Sequence, residues 1–166
     1  MNAKGRKAAA ILLAVTLTSA AGASLAASDS SFAGHYTTAS LSAQEQTAGN
    51  LLNSDRARYG LAPLVIDPEL CRIARIKSQD MRDNQYFAHT SPTYGDVRSM
   101  LRRFGYAFTA SGENIAHHAT IEKAQAAFLS SPGHRRNIMS GTYTKVGMGA
   151  AIDAQGYVYL TQIFVR

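Results

Sequence analysis

Two histidines and one glutamate are set apart by the residues around them. His89 follows Phe87-Ala88 and precedes Thr90-Ser91-Pro92. Glu113 lies in Ser111-Gly112-Glu113-Asn114-Ile115-Ala116, and His134 in Ser131-Pro132-Gly133-His134-Arg135-Arg136-Asn137. Each segment couples a titratable group to turn-forming or capping residues, the setting in which a side chain is held in one place. Neutral imidazoles bind divalent metals, and a carboxylate beside them either orients a ring N–H or takes a proton from water. If the three converge, they make an open cation site or an acid–base pair. The H-E-x-x-H spacing, which places two ligands on one helix turn, is absent, so convergence is left to the fold. His134 falls near a helix start, where the dipole lowers its proton affinity and favours the metal-binding neutral form. Glu113, close to Ile115, is expected to be buried, and a buried carboxylate needs partners or a raised pKa.

Other chemistries find less support. The chain has no G-x-S-x-G, no P-loop and no G-x-G-x-x-G after a strand, and Gly147-Met148-Gly149 reads as close packing within a strand. His117-His118 reads as a surface pair, since adjacent residues point in different directions. Cys71 is the only cysteine, so no intramolecular disulfide forms. It sits in the first turn of a helix, where a thiolate nucleophile is conceivable, but it shares a side with Ala74, Ser78 and Met81 and reads as a small buried residue.

The elements that must position these groups follow from capping and periodicity. Ser42-Ala43-Gln44-Glu45 has capping-box spacing and opens a helix through Ala48, Leu51, Leu52 and Tyr59 that stops at Gly60. Leu61-Ala62-Pro63-Leu64 reads as an extended connector. Asp67-Pro68 starts a helix through Leu70, Ile73, Ala74, Lys77 and Met81, with the Lys77 stem buried and its amine in water. Arg72, Arg75 and Arg82 read as solvated. Residues 86–95 form a loop. Asp96 caps a helix that ends at Gly105, with Arg98, Arg102 and Arg103 facing solvent. Residues 111–116 read as a turn entering a short buried segment. Thr120 caps a further helix through Phe128, and Ser131-Pro132 restarts one. Residues 146–165 read as a hairpin about Asp153-Ala154-Gln155-Gly156 with both faces apolar, so it lies between helical layers. The fold class is α+β, a three-layer α-β-α sandwich with a central antiparallel sheet.

At 166 residues and 46% hydrophobic, the chain fits one domain with a real core. Lys4, Arg6 and Lys7, the apolar run from Ala8 to Leu17 and Ala23-Ser24-Leu25-Ala26 read as a signal peptide over residues 1–26. Residues 27–41, including His35, read as a flexible leader, and residues 42–166 as the folded domain. Cleavage removes three basic and no acidic residues, taking the formal charge from +6 to +3. With no dense basic stripe, nucleic acid is not an expected partner. The expected location is secreted, extracellular or periplasmic, with no transmembrane segment after cleavage.

Several motifs occur together in an order that resembles the CAP family, also called SCP-like domains. They are Leu51-Leu52-Asn53-x-x-Arg56, Leu64 with Asp67-Pro68-x-Leu70, Phe87-Ala88-His89, Gly112-Glu113-Asn114-Ile115, Ser131-Pro132-Gly133-His134-Arg135-x-Asn137-Ile138 and Val146-Gly147-x-Gly149. The resemblance covers residues 45–165 and is similar to compact bacterial members without disulfides. It implies a central cleft with a His–Glu–Glu–His tetrad, of which His89, Glu113 and His134 match three positions. Glu122 is not assigned to the fourth. By resemblance, His89 and His134 are the expected ligands of zinc or another divalent cation, and Glu113 is the candidate catalytic group. Asn53, Arg56, Asn114 and Asn137 are expected to brace the surrounding turns. Three functions stay open: a monomeric binding module for a cell-envelope component, lipid or peptide; a metal-dependent, peptidase-like hydrolase with Glu113 as general base; and a purely structural cluster.

Overall fold

In the computed structural model the described residues are 40–166. The signal peptide, His35 and nearly all of the expected leader lie outside them. Helix α1 (Ala43–Arg58) begins at Ser42, whose hydroxyl and the Glu45 carboxylate form both bonds of the expected capping box. The short strand β1 (Val65–Ile66) precedes α2 (Pro68–Asp83), which is capped by Asp67 Oδ1 accepting from the Glu69 and Leu70 amides. Helix α3 (Val97–Arg103) starts at Asp96. Strand β2 (Ser111–His118), α4 (Ile121–Ser130), α5 (Pro132–Ile138) and the hairpin β3 (Lys145–Ile152) and β4 (Val158–Val165) complete the domain.

The four strands form one sheet in the order β1-β3-β4-β2. β3 and β2 are both antiparallel to β4, while β1 runs parallel to β3 over two residue pairs. The expected antiparallel sheet is therefore mixed at one margin, where the connector continues into Val65-Ile66. Residues 111–118 form a full strand instead of a turn and a short segment. Gly112 and Asn114 are poor strand formers, but eight paired positions along β4 override that preference.

Alternation along β4 divides the core between two faces. Val158, Leu160 and Phe164 join Ala48 and Leu52 of α1, Phe128 of α4 and Ile138 of α5. Ile163 and Val165 join Leu70, Ile73 and Ala74 of α2 and Met100 and Leu101 of α3. The result is the three-layer sandwich, with β2 at one margin of the sheet.

The outer edge of β3 needs partners beyond the reach of two-residue β1. The Met148 amide donates to Cys71 Sγ at 3.2 Å, and the Ala150 amide to Glu45 Oε1 at 3.3 Å. Glu45 is fully buried and receives Nε and Nη2 of Arg75 at 2.7 and 2.5 Å, so Arg75 is a bidentate partner and not a solvated charge. Cys71 is buried, and burial pushes its thiol up to about 11, which leaves little nucleophilic thiolate. Tyr59 departs from its expected place on the apolar stripe: it is 56% exposed, beneath the Arg135 guanidinium.

Helix α2 lies against β3 at backbone distance. A Cβ on Gly147 would stand 2.3 Å from the Leu70 carbonyl carbon, and one on Gly149 2.0 Å from that of Ala74. Neither neighbour is a side chain that can swing away. Gly149→Ala is expected to lower the unfolding free energy by roughly 1–3 kcal/mol or more. Urea denaturation checks this, and an unchanged midpoint would contradict the close approach.

Candidate functional site

His89 is placed by two buried residues of α2. Lys77 is fully buried, its Nζ donating to the Ala88 carbonyl at 2.7 Å and to Tyr86 Oη at 3.1 Å. The expectation of a solvated amine fails here because the loop supplies the oxygens that water would otherwise provide. One turn on, Asp80 accepts from Tyr86 Oη, Ser91 Oγ (2.6 Å), Thr93 Oγ1 (3.1 Å) and Asn84 Nδ2 (2.8 Å). These donors hold the Asp80 carboxyl below the ordinary range despite its burial, which works the other way. The loop turns at Gln85, whose φ of 52° is left-handed, and closes where Ser91 and Gly95 exchange backbone bonds of 2.8 and 2.9 Å. His89 stands between these two anchored stretches.

Glu113 comes from β2, opposite Ile163 of β4. Its side chain is 4% exposed, and Oε1 lies 2.8 Å from His89 Nδ1, whose ring is 59% exposed. Glu113 Oε2 is buried with no hydrogen-bond partner among the described residues. His134 is the third residue of α5, its ring edge-on to Phe128 at 5.1 Å and 6.5 Å centre to centre from the His89 ring. The fold thus brings together the three residues that the sequence marks.

A chain of side-chain amides fixes the other half of the site. Asn137 Nδ2 donates to Asn114 Oδ1 (2.9 Å), Asn114 Nδ2 to Gln162 Oε1 (3.0 Å), Gln162 Nε2 to Gln125 Oε1 (2.9 Å) and Gln125 Nε2 to Asp55 Oδ2 (2.8 Å). Asn137 also donates to the Glu113 carbonyl and Asn114 to the His134 carbonyl, each at 3.2 Å. Asn53 makes paired bonds with the Leu64 backbone, 3.0 Å to its carbonyl and 2.9 Å from its amide. Arg56 donates to the carbonyls of Ala62 (2.9 Å), Ile138 (2.6 Å) and Ser140 (2.9 Å), tying α1 to the end of the helix that carries His134. Lys77, Asp80, Asp55, Gln125 and Gln162 were not singled out as positioning groups from the sequence. Their signal was polarity at core positions: Gln125 shares the stripe of Ile121, Ala124 and Phe128, and Gln162 the face of Leu160 and Phe164.

Residues 50–164 match the CAP family, the cysteine-rich secretory protein family. The chain belongs to this family. It is 45% identical to the uncharacterized protein YkwD of Bacillus subtilis over 111 residues, covering 66% of this chain and 43% of that one. It is 35% identical to the uncharacterized membrane protein YlbC of the same organism, covering 70% of this chain and 33% of that one. Among solved structures, an extracellular protein containing a SCP domain from Bacillus anthracis superposes with a TM-score of 0.69 at 35% identity, covering 74% of this chain and 40% of that one. The chain therefore spans less than half the length of these relatives.

In this CAP domain the two imidazoles are driven apart in proton affinity. The hydrogen bond to Glu113 raises the His89 pKa against an opposing effect of burial, while burial and the charge of His89 lower that of His134. His117 and His118 take no part: His117 bonds Asp153 at 2.8 Å and stacks on Tyr159, and His118 Nδ1 accepts the Ala119 amide. Glu122 is exposed in the first turn of α4. Among the described residues no three His, Cys, Asp or Glu side chains are arranged to hold a metal ion together, so an ion here would have two nitrogen ligands and otherwise water.

The raised His89 pKa contributes stability that is complete below the ordinary imidazole value of 6.5 and lost as pH climbs past its folded value. His134 has the opposite sign, costing stability as pH falls below 6.5. NMR titration is expected to give His89 above 6.5 and His134 below it. In Glu113→Gln, His89 is expected to fall towards the ordinary value. An unmoved His89 would show that Glu113 does not control it.

Proposed function

We propose that this CAP domain is an exported binding module, extracellular or periplasmic, in which His89 and His134 together hold a divalent cation, with zinc as the reference ion. The observation that carries this reading is the His89 Nδ1–Glu113 bond beside the ring of His134. With Nδ1–H donated to Glu113, neutral His89 turns its Nε2 lone pair outward. His134, held neutral by burial, supplies a second nitrogen. Imidazole rings on one tetrahedral zinc stand roughly 5 Å apart centre to centre. The 6.5 Å separation thus asks for inward closure of about 1–1.5 Å, within reach of a ring as exposed as His89.

The Glu113 geometry favours binding over hydrolysis. One carboxylate oxygen is engaged by His89 and the other is buried, whereas a general base must reach the water that it deprotonates. A bound cation completed by water suits an anionic group of an envelope component or a peptide. Export is supported by the apparent signal segment in the sequence and by the extracellular SCP-domain relative. No helix among the described residues is long and apolar enough to cross a membrane.

Calorimetric zinc titration near neutral pH tests the site. His89→Ala and His134→Ala are each expected to abolish most binding, while Glu113→Gln weakens it by about tenfold through loss of ring orientation. Affinity is expected to fall with pH through the His89 range, because protons compete for the same lone pairs. If both alanine variants bind zinc like the wild type, the cation assignment is wrong.

A further inference from the structure

A hollow of about 430 Å³ lies between α3 and the segment Tyr106–Ser111. Its size suits a small organic ligand. Arg98 and Arg102 are four apart on α3, hence on one helical face, and both line it. The third arginine of this seven-residue helix is used elsewhere: Arg103 donates to the Thr93 carbonyl and covers the Tyr94 ring. Neither Arg98 nor Arg102 forms an ion pair among the described residues, and no carboxylate lines the hollow. Asp96, whose carboxyl both guanidiniums help to hold low, is committed to the Ser99 amide at 2.8 Å.

The opposite wall is rigid and has an apolar flank. Tyr106 Oη donates to Asp67 Oδ2 at 2.8 Å, and the Thr109 amide to the Arg166 backbone oxygen at 2.8 Å, while the Arg166 amide donates to the Ala110 carbonyl at 3.1 Å. Arg102 stands over the Phe108 ring, 5.9 Å from its centre. Ser111 ends this wall, and its hydroxyl oxygen is buried without a hydrogen-bond partner among the described residues. Two guanidiniums that form no ion pair among the described residues, a hydroxyl without a hydrogen-bond partner and an aromatic flank line one hollow.

We propose that this hollow binds a phosphate ester, independently of the histidine site. A phosphate monoester presents three terminal oxygens, enough for both guanidinium forks and for the Ser111 hydroxyl once its side chain rotates out of the wall, whereas a carboxylate presents two. Bound phosphate also offsets the repulsion between like charges one turn apart on α3. The organic part of the ester lies against Tyr106 and Phe108.

The test is an NMR titration of the exported protein with phenyl phosphate, inorganic phosphate and benzoate, following the arginine Nε signals and the Ser111 amide. Phenyl phosphate is expected to saturate the Arg98, Arg102 and Ser111 signals. Inorganic phosphate, lacking the apolar part, and benzoate, lacking the third oxygen, are each expected to bind about tenfold or more weakly. Arg98→Gln and Arg102→Gln are expected to weaken phenyl phosphate at least tenfold and Ser111→Ala severalfold. Arg136→Gln, which removes the same charge from exposed α5, and His89→Ala are expected to leave it unchanged. Absence of saturation would overturn the site. An equal loss in Arg136→Gln would reduce it to general charge attraction, and equal binding of benzoate or inorganic phosphate would overturn the phosphate-ester assignment.

Discussion

The structure depends on a buried chain of amides that no strand or helix provides by itself. From Asn137 through Asn114, Gln162 and Gln125 to Asp55, each side chain donates to the next, and the last acceptor is a carboxylate. All the dipoles point the same way, so each bond polarises its neighbour. The donor direction also fixes which end of every amide is nitrogen. Five elements are joined along it: α5, β2, β4, α4 and α1. Each link contributes about 0.5–1.5 kcal/mol net, but an amide left unpaired in this core costs about 1–3 kcal/mol. The chain therefore specifies one arrangement of the helical layer more than it adds to stability.

The site lies where this layer meets the other. The amide chain holds the Glu113 and His134 backbones, while Lys77 and Asp80, from the opposite face of the sheet, hold the loop that carries His89. The His89–Glu113 bond crosses from the loop to β2 and uses one Glu113 oxygen. Burial of the carboxylate raises the value of that bond, and the bond in turn separates the proton affinities of the two imidazoles. An acid–base asymmetry thus arises from positioning alone.

Local signals were enough for much of the frame. The capping box at Ser42 and Glu45, the Asp67-Pro68 start and the Asp153 hairpin act within four residues, so the sequence displays them directly. His89, Glu113 and His134 were legible as a set from their motifs. The parallel pairing of β1 and the full length of β2 were not, because strand pairing is decided by distant partners. Lys77 and Arg75 depart from the expected solvation for one reason: a long cation at an amphipathic position gives no sign of whether the acceptors that bury it lie elsewhere in the chain. The Gln125–Gln162 contact joins residues 37 apart, and only the fold makes them neighbours.

The central claim is that the amide chain acts as a unit and sets the site geometry. A double-mutant cycle between Asn137→Ala and Gln125→Ala tests it most directly, since these two side chains are linked through Asn114 and Gln162. Unfolding free energies from urea denaturation are predicted to be non-additive by more than about 0.5 kcal/mol, the double variant losing less than the two single losses combined. Additivity within about 0.3 kcal/mol would contradict the account and reduce the chain to independent hydrogen bonds.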